Sequence, residues 1–215
     1  MPAVVHVICP ACDTPTEGAR VEPGEHVLAC DLCGARTPFE PLPPLLFLTG
    51  ASAAGKTTLT RALTGTVTEA ILIDADLLWG VNPAHDDPAS GYRQFRGLTL
   101  HLAERIARNG HPVVIEGTCI PEQYESLGER WYFTRTAYLA VTCAEDELRR
   151  RLARRPDWRQ EPARLEPLIT LNERFRTAPA SFCTPVEVLD TTGRTVADCA
   201  AEAHAWIRKN LENTI

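Results

Sequence analysis

The sequence contains no long hydrophobic run, no basic leader and no excess of positive charge. None of its 215 residues belongs to an apolar stretch near the roughly 20 residues that a membrane-spanning helix needs. Residues 1–9 have neither a basic start nor a long apolar core, so we expect no secretory signal and a cytoplasmic location. The formal net charge of −6 provides no general attraction to nucleic acid or to anionic membrane surfaces.

Disulfide bonds are not expected from the eight cysteines, because the chain shows no export signal. Four cysteines stand alone in the sequence and are interpreted as small buried hydrophobic residues. The other four form two C-x-x-C pairs separated by 17 residues: Cys9, Cys12, Cys30 and Cys33. This spacing predicts a structural Zn²⁺ site, since four thiolates complete a tetrahedron and leave no open position for catalysis. The alternative is four unrelated thiols.

The cysteine pairs define a first segment, residues 1–40, which resembles a zinc ribbon. Prolines crowd residues 37–44 and predict a stiff linker to a second domain, residues 41–215. The first 44 residues hold two arginines against six acidic side chains. An acidic surface is a poor phosphate binder, so we expect the ribbon to be structural or to dock a partner, and we disfavour nucleic acid.

Beyond residue 44, short apolar runs alternate with longer amphipathic stretches. The apolar runs predict strands at Leu45–Thr49, Ala70–Asp74, Pro112–Glu116, Ala137–Thr142 and Val186–Leu189. The amphipathic stretches predict helices at Lys56–Leu63, Tyr92–Asn109, Pro121–Glu129, Ala144–Arg155, Pro162–Arg176 and Val196–Leu211. Apolar strands separated by helices predict an α/β fold, a three-layer α/β/α domain with a five-stranded parallel sheet.

The first of these strand-to-helix junctions contains a phosphate-binding motif. Residues 50–57 match G-x-x-x-x-G-K-[ST] without a mismatch, after an apolar strand and before a helix. We expect Lys56 to reach the β- and γ-phosphates of ATP and Thr57 to bind Mg²⁺. The remaining nucleotide-binding candidates surround them: Gly50, Ala51, Ser52, Ala53, Ala54, Gly55 and Thr58. There is no guanine-reading N-K-x-D motif.

With this motif, residues 45–211 resemble the P-loop nucleoside, nucleotide and small-molecule kinases, which include adenylate, shikimate and gluconate kinases and chloramphenicol phosphotransferase. Asp74-Ala-Asp76 follows the second strand. In the resembled kinases such a pair faces the phosphate loop. This implies that Asp76 holds or deprotonates the acceptor hydroxyl and that Asp74 helps to bind Mg²⁺. Strand alternation is also expected to place both acids on one face. The alternative for Asp76 is a helix cap.

Two further groups of residues extend the candidate site. Glu116 ends an apolar strand, at a position that resembles Walker B, and is interpreted as a second acid for Mg²⁺ binding. The alternative is that Glu116 contacts the substrate. Residues 149–155 contain five arginines, and the resemblance implies that one stacks on adenine and another, four residues on, clamps the transferred phosphate. Arg151 and Arg155 have that spacing and are assigned to nucleotide binding and catalysis. The alternative is a solvated basic helix face.

The sequence thus predicts an ATP- and Mg²⁺-dependent kinase for a small-molecule, nucleoside or nucleotide acceptor, with structural Zn²⁺. Two alternatives stay open: a 5′-hydroxyl polynucleotide kinase, and a nucleotide-dependent regulatory protein whose ribbon docks a partner. Residues 79–91 are expected to form a substrate-side loop, and Trp158 and Arg159 are expected to belong to a mobile lid.

Overall fold

The structure is a computed structural model that describes residues 4–22, 25–78, 92–156 and 162–212. Residues 79–91, Trp158 and Arg159 lie outside this described part. The described residues form two sheets, a small antiparallel sheet at the start of the chain and a larger parallel sheet after it. The expected α/β class and the five-stranded parallel sheet are confirmed.

The small sheet follows chain order, and its strands are β1 (Val4–Ile8), β2 (Pro15–Glu22), β3 (Val27–Ala29) and β4 (Arg36–Pro38). The larger sheet has the order β6-β7-β5-β8-β9, and its strands are β5 (Leu45–Thr49), β6 (Ile71–Asp74), β7 (Val113–Glu116), β8 (Thr136–Thr142) and β9 (Val186–Asp190). The strands of the small sheet were not predicted. The short run of β1 is as apolar as that of β5, whereas β2 and β4 carry few apolar residues.

The helices are α1 (Lys56–Leu63), α2 (Arg93–Arg108), α3 (Pro121–Glu125), α4 (Glu145–Ala153), α5 (Pro162–Thr177) and α6 (Val196–Glu212). Two predicted helices are clearly shorter than expected: α4 ends at Ala153 rather than Arg155, and α3 ends at Glu125, with a 3₁₀ helix following at Gly128–Tyr132. Leu127 between them is extended, which interrupts the helix. No helix among the described residues is long and apolar enough to cross a membrane.

Strand β5 lies at the centre of the larger sheet, and all of its residues are buried. Successive side chains point to opposite faces. Leu45 and Phe47 therefore join one hydrophobic cluster, while Leu46 and Leu48 join another on the opposite face. A sheet buried on both faces explains why its strands are continuous apolar runs rather than alternating ones.

The proline-rich segment between the two sheets contacts both of them. Its first residues belong to β4. Further on, the Leu42 N–H donates to the Tyr132 carbonyl oxygen at 2.8 Å, and the Phe39 and Tyr132 rings lie 5.2 Å apart. The partly buried side chains of Leu28 and Phe39 also pack against the main core. The small sheet is thus held against the larger domain, and the domain boundary at residue 40 stays a prediction.

Candidate active site

The phosphate loop between β5 and α1 has a backbone that requires glycine at its ends. Gly50 has a φ of 137°, and a Cβ atom there would lie 2.1 Å from the carbonyl oxygen of Val141. Gly55 has a φ of 117° and immediately precedes α1. Small residues in such a loop allow backbone N–H groups to converge on phosphate oxygens at a helix N-terminus.

Lys56 is buried inside this loop. Its Nζ donates hydrogen bonds to the carbonyl oxygens of Gly50 (2.9 Å) and Ala51 (3.2 Å) and to the Thr118 hydroxyl (3.2 Å). Burial lowers the pKa of Lys56, and the carboxylates of Glu116 and Asp76 act against that shift. The ammonium group therefore lies within the field of both acids, at the position where a phosphate would bind.

Glu116 at the end of β7 lies beside Thr57, whose hydroxyl donates to Glu116 Oε1 at 3.2 Å. Glu116 is paired in register with Asp74 on β6. Burial raises the pKa of Glu116, and the neighbouring Asp74 charge adds to that effect. A hydroxyl and closely spaced carboxylates are the oxygen donors that Mg²⁺ prefers, so these residues fit the predicted ion.

The two acids at the end of β6 lie in different elements, because the strand ends at Asp74 and a 3₁₀ helix covers Ala75–Leu78. Strand alternation therefore does not extend to Asp76 and is not the reason why both acids lie near Glu116. Asp74 Oδ1 accepts the Asp76 N–H at 2.9 Å, so Asp74 caps the short helix. The exposed Asp76 side chain lines the main cleft. The capping role considered for Asp76 belongs to Asp74.

Arg151 and Arg155 both line the cleft, although α4 ends at Ala153 and Arg155 lies beyond it. Arg151 Nη1 donates to the Ala54 carbonyl oxygen (2.9 Å) and to the Thr191 hydroxyl (3.2 Å). Its Nε donates to Glu147 at 2.7 Å. Arg151 therefore connects α4 to the phosphate loop and to the segment after β9.

The side chains of the neighbouring Arg149 and Arg150 pair with carboxylates. Arg149 bonds to Glu145 and Glu166, and Arg150 bonds to Glu147. The solvated basic face considered as the alternative therefore describes these two residues.

A second, smaller cavity of about 280 Å³ adjoins the phosphate loop. Arg151, Thr191, Arg194, Thr195 and Cys199 contribute to its walls. Its position beside the loop and Arg151 suits the base of a bound nucleotide. Arg194 and Thr195 were not predicted, since they carry no motif and lie on a turn that only the fold brings here.

The main cleft has a volume of about 1210 Å³ and brings Lys56, Asp76 and Arg155 together. The predicted phosphate-side residues Thr57, Thr58 and Glu116 also line it. Sequence reasoning missed several lining residues, among them Arg96, Thr118, Cys119 and Tyr124. The one local sequence signal for these residues was the polar Thr118, which follows Glu116 and Gly117. Arg96 could not be singled out from the sequence, because its helix carries several other arginines.

The four ribbon cysteines come together at the end of the small sheet. Their Sγ atoms all lie within 4.8 Å of one another, and those of Cys9 and Cys33 are 3.7 Å apart. Sulfurs at about 2.3 Å from a tetrahedral Zn²⁺ would be roughly 3.8 Å apart, so the donor set fits zinc. Each C-x-x-C turn is followed by a residue with positive φ, Asp13 at 53° and Gly34 at 72°.

Comparison with known families gives one match. Residues 46–166, more than half of the chain, match a family model described as an AAA domain. The matched span contains the phosphate loop, both acids after β6, Glu116 and the arginines of α4. No curated protein matches the sequence.

Several solved kinase structures resemble the chain. A sugar kinase from Janibacter sp. has a TM-score of 0.58 at 16% identity, over 78% of this chain and 95% of that one. A gluconokinase from Sinorhizobium meliloti has a TM-score of 0.55 at 18% identity, and the match covers 81% of this chain and 97% of that one. Shikimate kinase from Acinetobacter baumannii has a TM-score of 0.53 at 18% identity, and the match covers 80% of this chain and 96% of that one. At these identities the likeness shows the fold, which is the P-loop kinase fold.

Proposed function

The chain belongs to this AAA domain family of P-loop proteins, and we propose that it is an ATP-dependent kinase acting on a small-molecule, nucleoside or nucleotide acceptor. The observation that carries the proposal is the convergence of Lys56, Asp76 and Arg155 on one cleft. A P-loop protein that only switches a partner needs no carboxylate facing an acceptor space. Asp76 therefore favours phosphoryl transfer over switching.

In this proposal the loop N–H groups and Lys56 bind the β- and γ-phosphates. Thr57 and Glu116 would hold Mg²⁺, which would neutralise part of the phosphate charge. The acceptor hydroxyl oxygen forms a bond to the γ-phosphorus while the bond to the bridging oxygen breaks and ADP leaves. The hydroxyl proton passes to the Asp76 carboxylate, which also orients the nucleophile. Arg155 faces the negative charge that develops on the transferred group.

The ribbon is proposed to be structural or to dock a partner. The contact of its Phe39 ring with Tyr132 and the packing of Leu28 and Phe39 against the main core support a structural contribution. Its acidic composition argues against phosphate-backbone binding.

Product formation across acceptor classes tests the kinase proposal. Purified protein is incubated with ATP, Mg²⁺ and nucleosides, nucleotides, sugars, antibiotics or 5′-hydroxyl oligonucleotides, with Lys56→Ala as the inactive control. We expect one small-molecule class to gain a phosphate in step with ADP release. Transfer only to oligonucleotides would favour the polynucleotide kinase, and tight ATP binding without transfer to any class would favour the regulatory protein.

A further inference from the structure

The turn after β9 contains a hydroxyl that has no role in the transfer chemistry described above. Thr191 is the first residue after that strand, and its N–H donates to the Thr142 carbonyl oxygen at 2.8 Å, at the end of β8. Its Oγ1 lies 2.9 Å from the same oxygen, 3.2 Å from the Ala54 carbonyl oxygen and 3.2 Å from Arg151 Nη1. A hydroxyl donates one hydrogen bond and accepts two. Thr191 therefore accepts from Arg151 and shares its own proton between the two carbonyl oxygens.

The Ala54 carbonyl oxygen fixes the direction of an N–H group in the phosphate loop. Ala54 is buried, and its carbonyl oxygen accepts from Arg151 Nη1 at 2.9 Å as well as from Thr191. A trans peptide is planar, and its C=O and N–H point to opposite sides. The N–H in this peptide belongs to Gly55, the residue directly before α1. It is therefore turned away from Arg151 and Thr191, and N–H groups at such a helix start are those that bind phosphate oxygens.

The same turn also attaches α4, the helix that carries Arg151. The Ala144 N–H, directly before α4, donates to the Thr192 hydroxyl at 2.7 Å. Farther along the helix, Arg151 is held by Thr191 on one side and by Glu147 on the other, where its Nε donates to Glu147 Oε1 at 2.7 Å. Two consecutive threonine hydroxyls thus connect both the start of α4 and its Arg151 to the end of β9.

We propose that Thr191 is a positioning residue for the nucleotide triphosphate, because its hydroxyl holds the Ala54 peptide and the Arg151 guanidinium in the arrangement that binds phosphates. The inference rests on the proposed function, which gives the loop a nucleotide to bind. Without the hydroxyl, the Ala54 carbonyl oxygen would keep one of its two donors, and Arg151 would lose its attachment to the turn. The phosphates would then have to order these groups on binding, which costs affinity.

A matched pair of ligands tests this assignment in the full-length protein. Thr191→Val removes the hydroxyl with little change of shape. Its Kd is measured by calorimetry for a non-hydrolysable ATP analogue and for inorganic tripolyphosphate, each with Mg²⁺. Tripolyphosphate has no base, so it reports on the phosphate loop alone. We expect both ligands to bind about 3- to 10-fold more weakly, the scale of one hydrogen bond, with a smaller change in kcat at saturating ATP.

Three further variants show that the effect belongs to the hydroxyl. Thr191→Ser keeps the hydroxyl and should restore the wild-type Kd for both ligands, whereas Thr191→Ala should weaken both as valine does. Thr177→Val is the matched control, because Thr177 is an exposed threonine at the end of α5 whose hydroxyl donates to the Glu173 carbonyl oxygen at 2.8 Å. It should bind both ligands as the wild type does.

The two ligands also separate the inference from its alternatives. Thr191 lines the smaller cavity, so a direct contact with the base would weaken the ATP analogue and leave tripolyphosphate unchanged. That result would overturn the positioning role, as would a lower Tm with unchanged affinity for both ligands, and either would leave the kinase in place. If the wild-type protein bound neither ligand, the proposed function would fail instead, and the inference with it.

Discussion

The two ends of the cleft hold their cations in different ways. At the nucleotide end, Lys56 donates to backbone carbonyl oxygens, and Arg151 donates to Ala54 and to Glu147. Around Asp76, at the proposed acceptor end, the described groups whose charges act on the partly buried Arg96 are Tyr124, Cys119 and Tyr92. The nucleotide end is thus held together by the protein's own hydrogen bonds, whereas the Asp76 carboxylate at the proposed acceptor end is exposed. We therefore expect nucleotide binding and acceptor binding to respond separately to mutation.

The largest effect is expected at the nucleotide end. Lys56→Ala should lower turnover by about 10³-fold, because it removes a positive charge at the transferring phosphate. The chain has one other lysine, Lys209, which is exposed and pairs with Glu187. Lys209→Ala is therefore the control and should retain wild-type kcat in a coupled ADP-release assay. Normal ATP turnover by the Lys56 variant would remove the main support for a kinase.

Asp76→Asn should affect the acceptor end alone. Transfer to the acceptor should fall by roughly 10²-fold, the scale of losing a general base, while the ATP Kd measured by calorimetry changes little. Asp74→Asn should have a milder effect, because asparagine caps a helix about as well as aspartate. Asp146→Asn, at an exposed acid in the first turn of α4, serves as the control. Wild-type transfer by Asp76→Asn would refute the catalytic assignment.

Glu116→Gln should make the nucleotide-free protein more stable and the enzyme slower. Because burial raises the pKa of Glu116 above its ordinary value of 4.5, stability from this carboxyl is greatest at acid pH and is lost as pH rises through the raised value. The Tm advantage of Glu116→Gln should therefore be present at pH 7 and shrink toward pH 4.5. Mg²⁺-dependent turnover should fall about 10-fold or more. A lower Tm at pH 7 would contradict this account.

The smallest effect on catalysis is expected from the ribbon. Purified protein should carry about one Zn²⁺ per chain, measured by elemental analysis. Cys9→Ser should remove that zinc and raise hydrogen exchange in β2 and β3, while β5 and β7 stay protected. Cys183→Ser is the control, because Cys183 lies outside the ribbon and is exposed, whereas the sequence had predicted a buried residue. Zinc-free wild-type protein prepared without chelator would refute the metal site.

The elements of the larger domain were predictable because their signals are local. The apolar run of β5 and the motif at residues 50–57 are readable over a dozen residues, and the structure has β5 and α1 at the predicted bounds. The small sheet was missed, since its strands are stabilised by pairing with one another and by contacts with residues such as Tyr132. Such long-range contacts leave no periodic pattern in the sequence.

The residues of the candidate site also divide into those with a local sequence signal and those that long-range contacts bring into place. The sequence by itself determined the phosphate loop and the zinc cysteines, because backbone conformation and ligand spacing require particular residues at short separations. Only the tertiary structure decided that Asp74 caps the helix while Asp76 lines the cleft, since this depends on where β6 ends. The tertiary structure likewise brought Arg96 to the cleft, because the packing of α2 against the sheet selects one arginine from a helix that carries several.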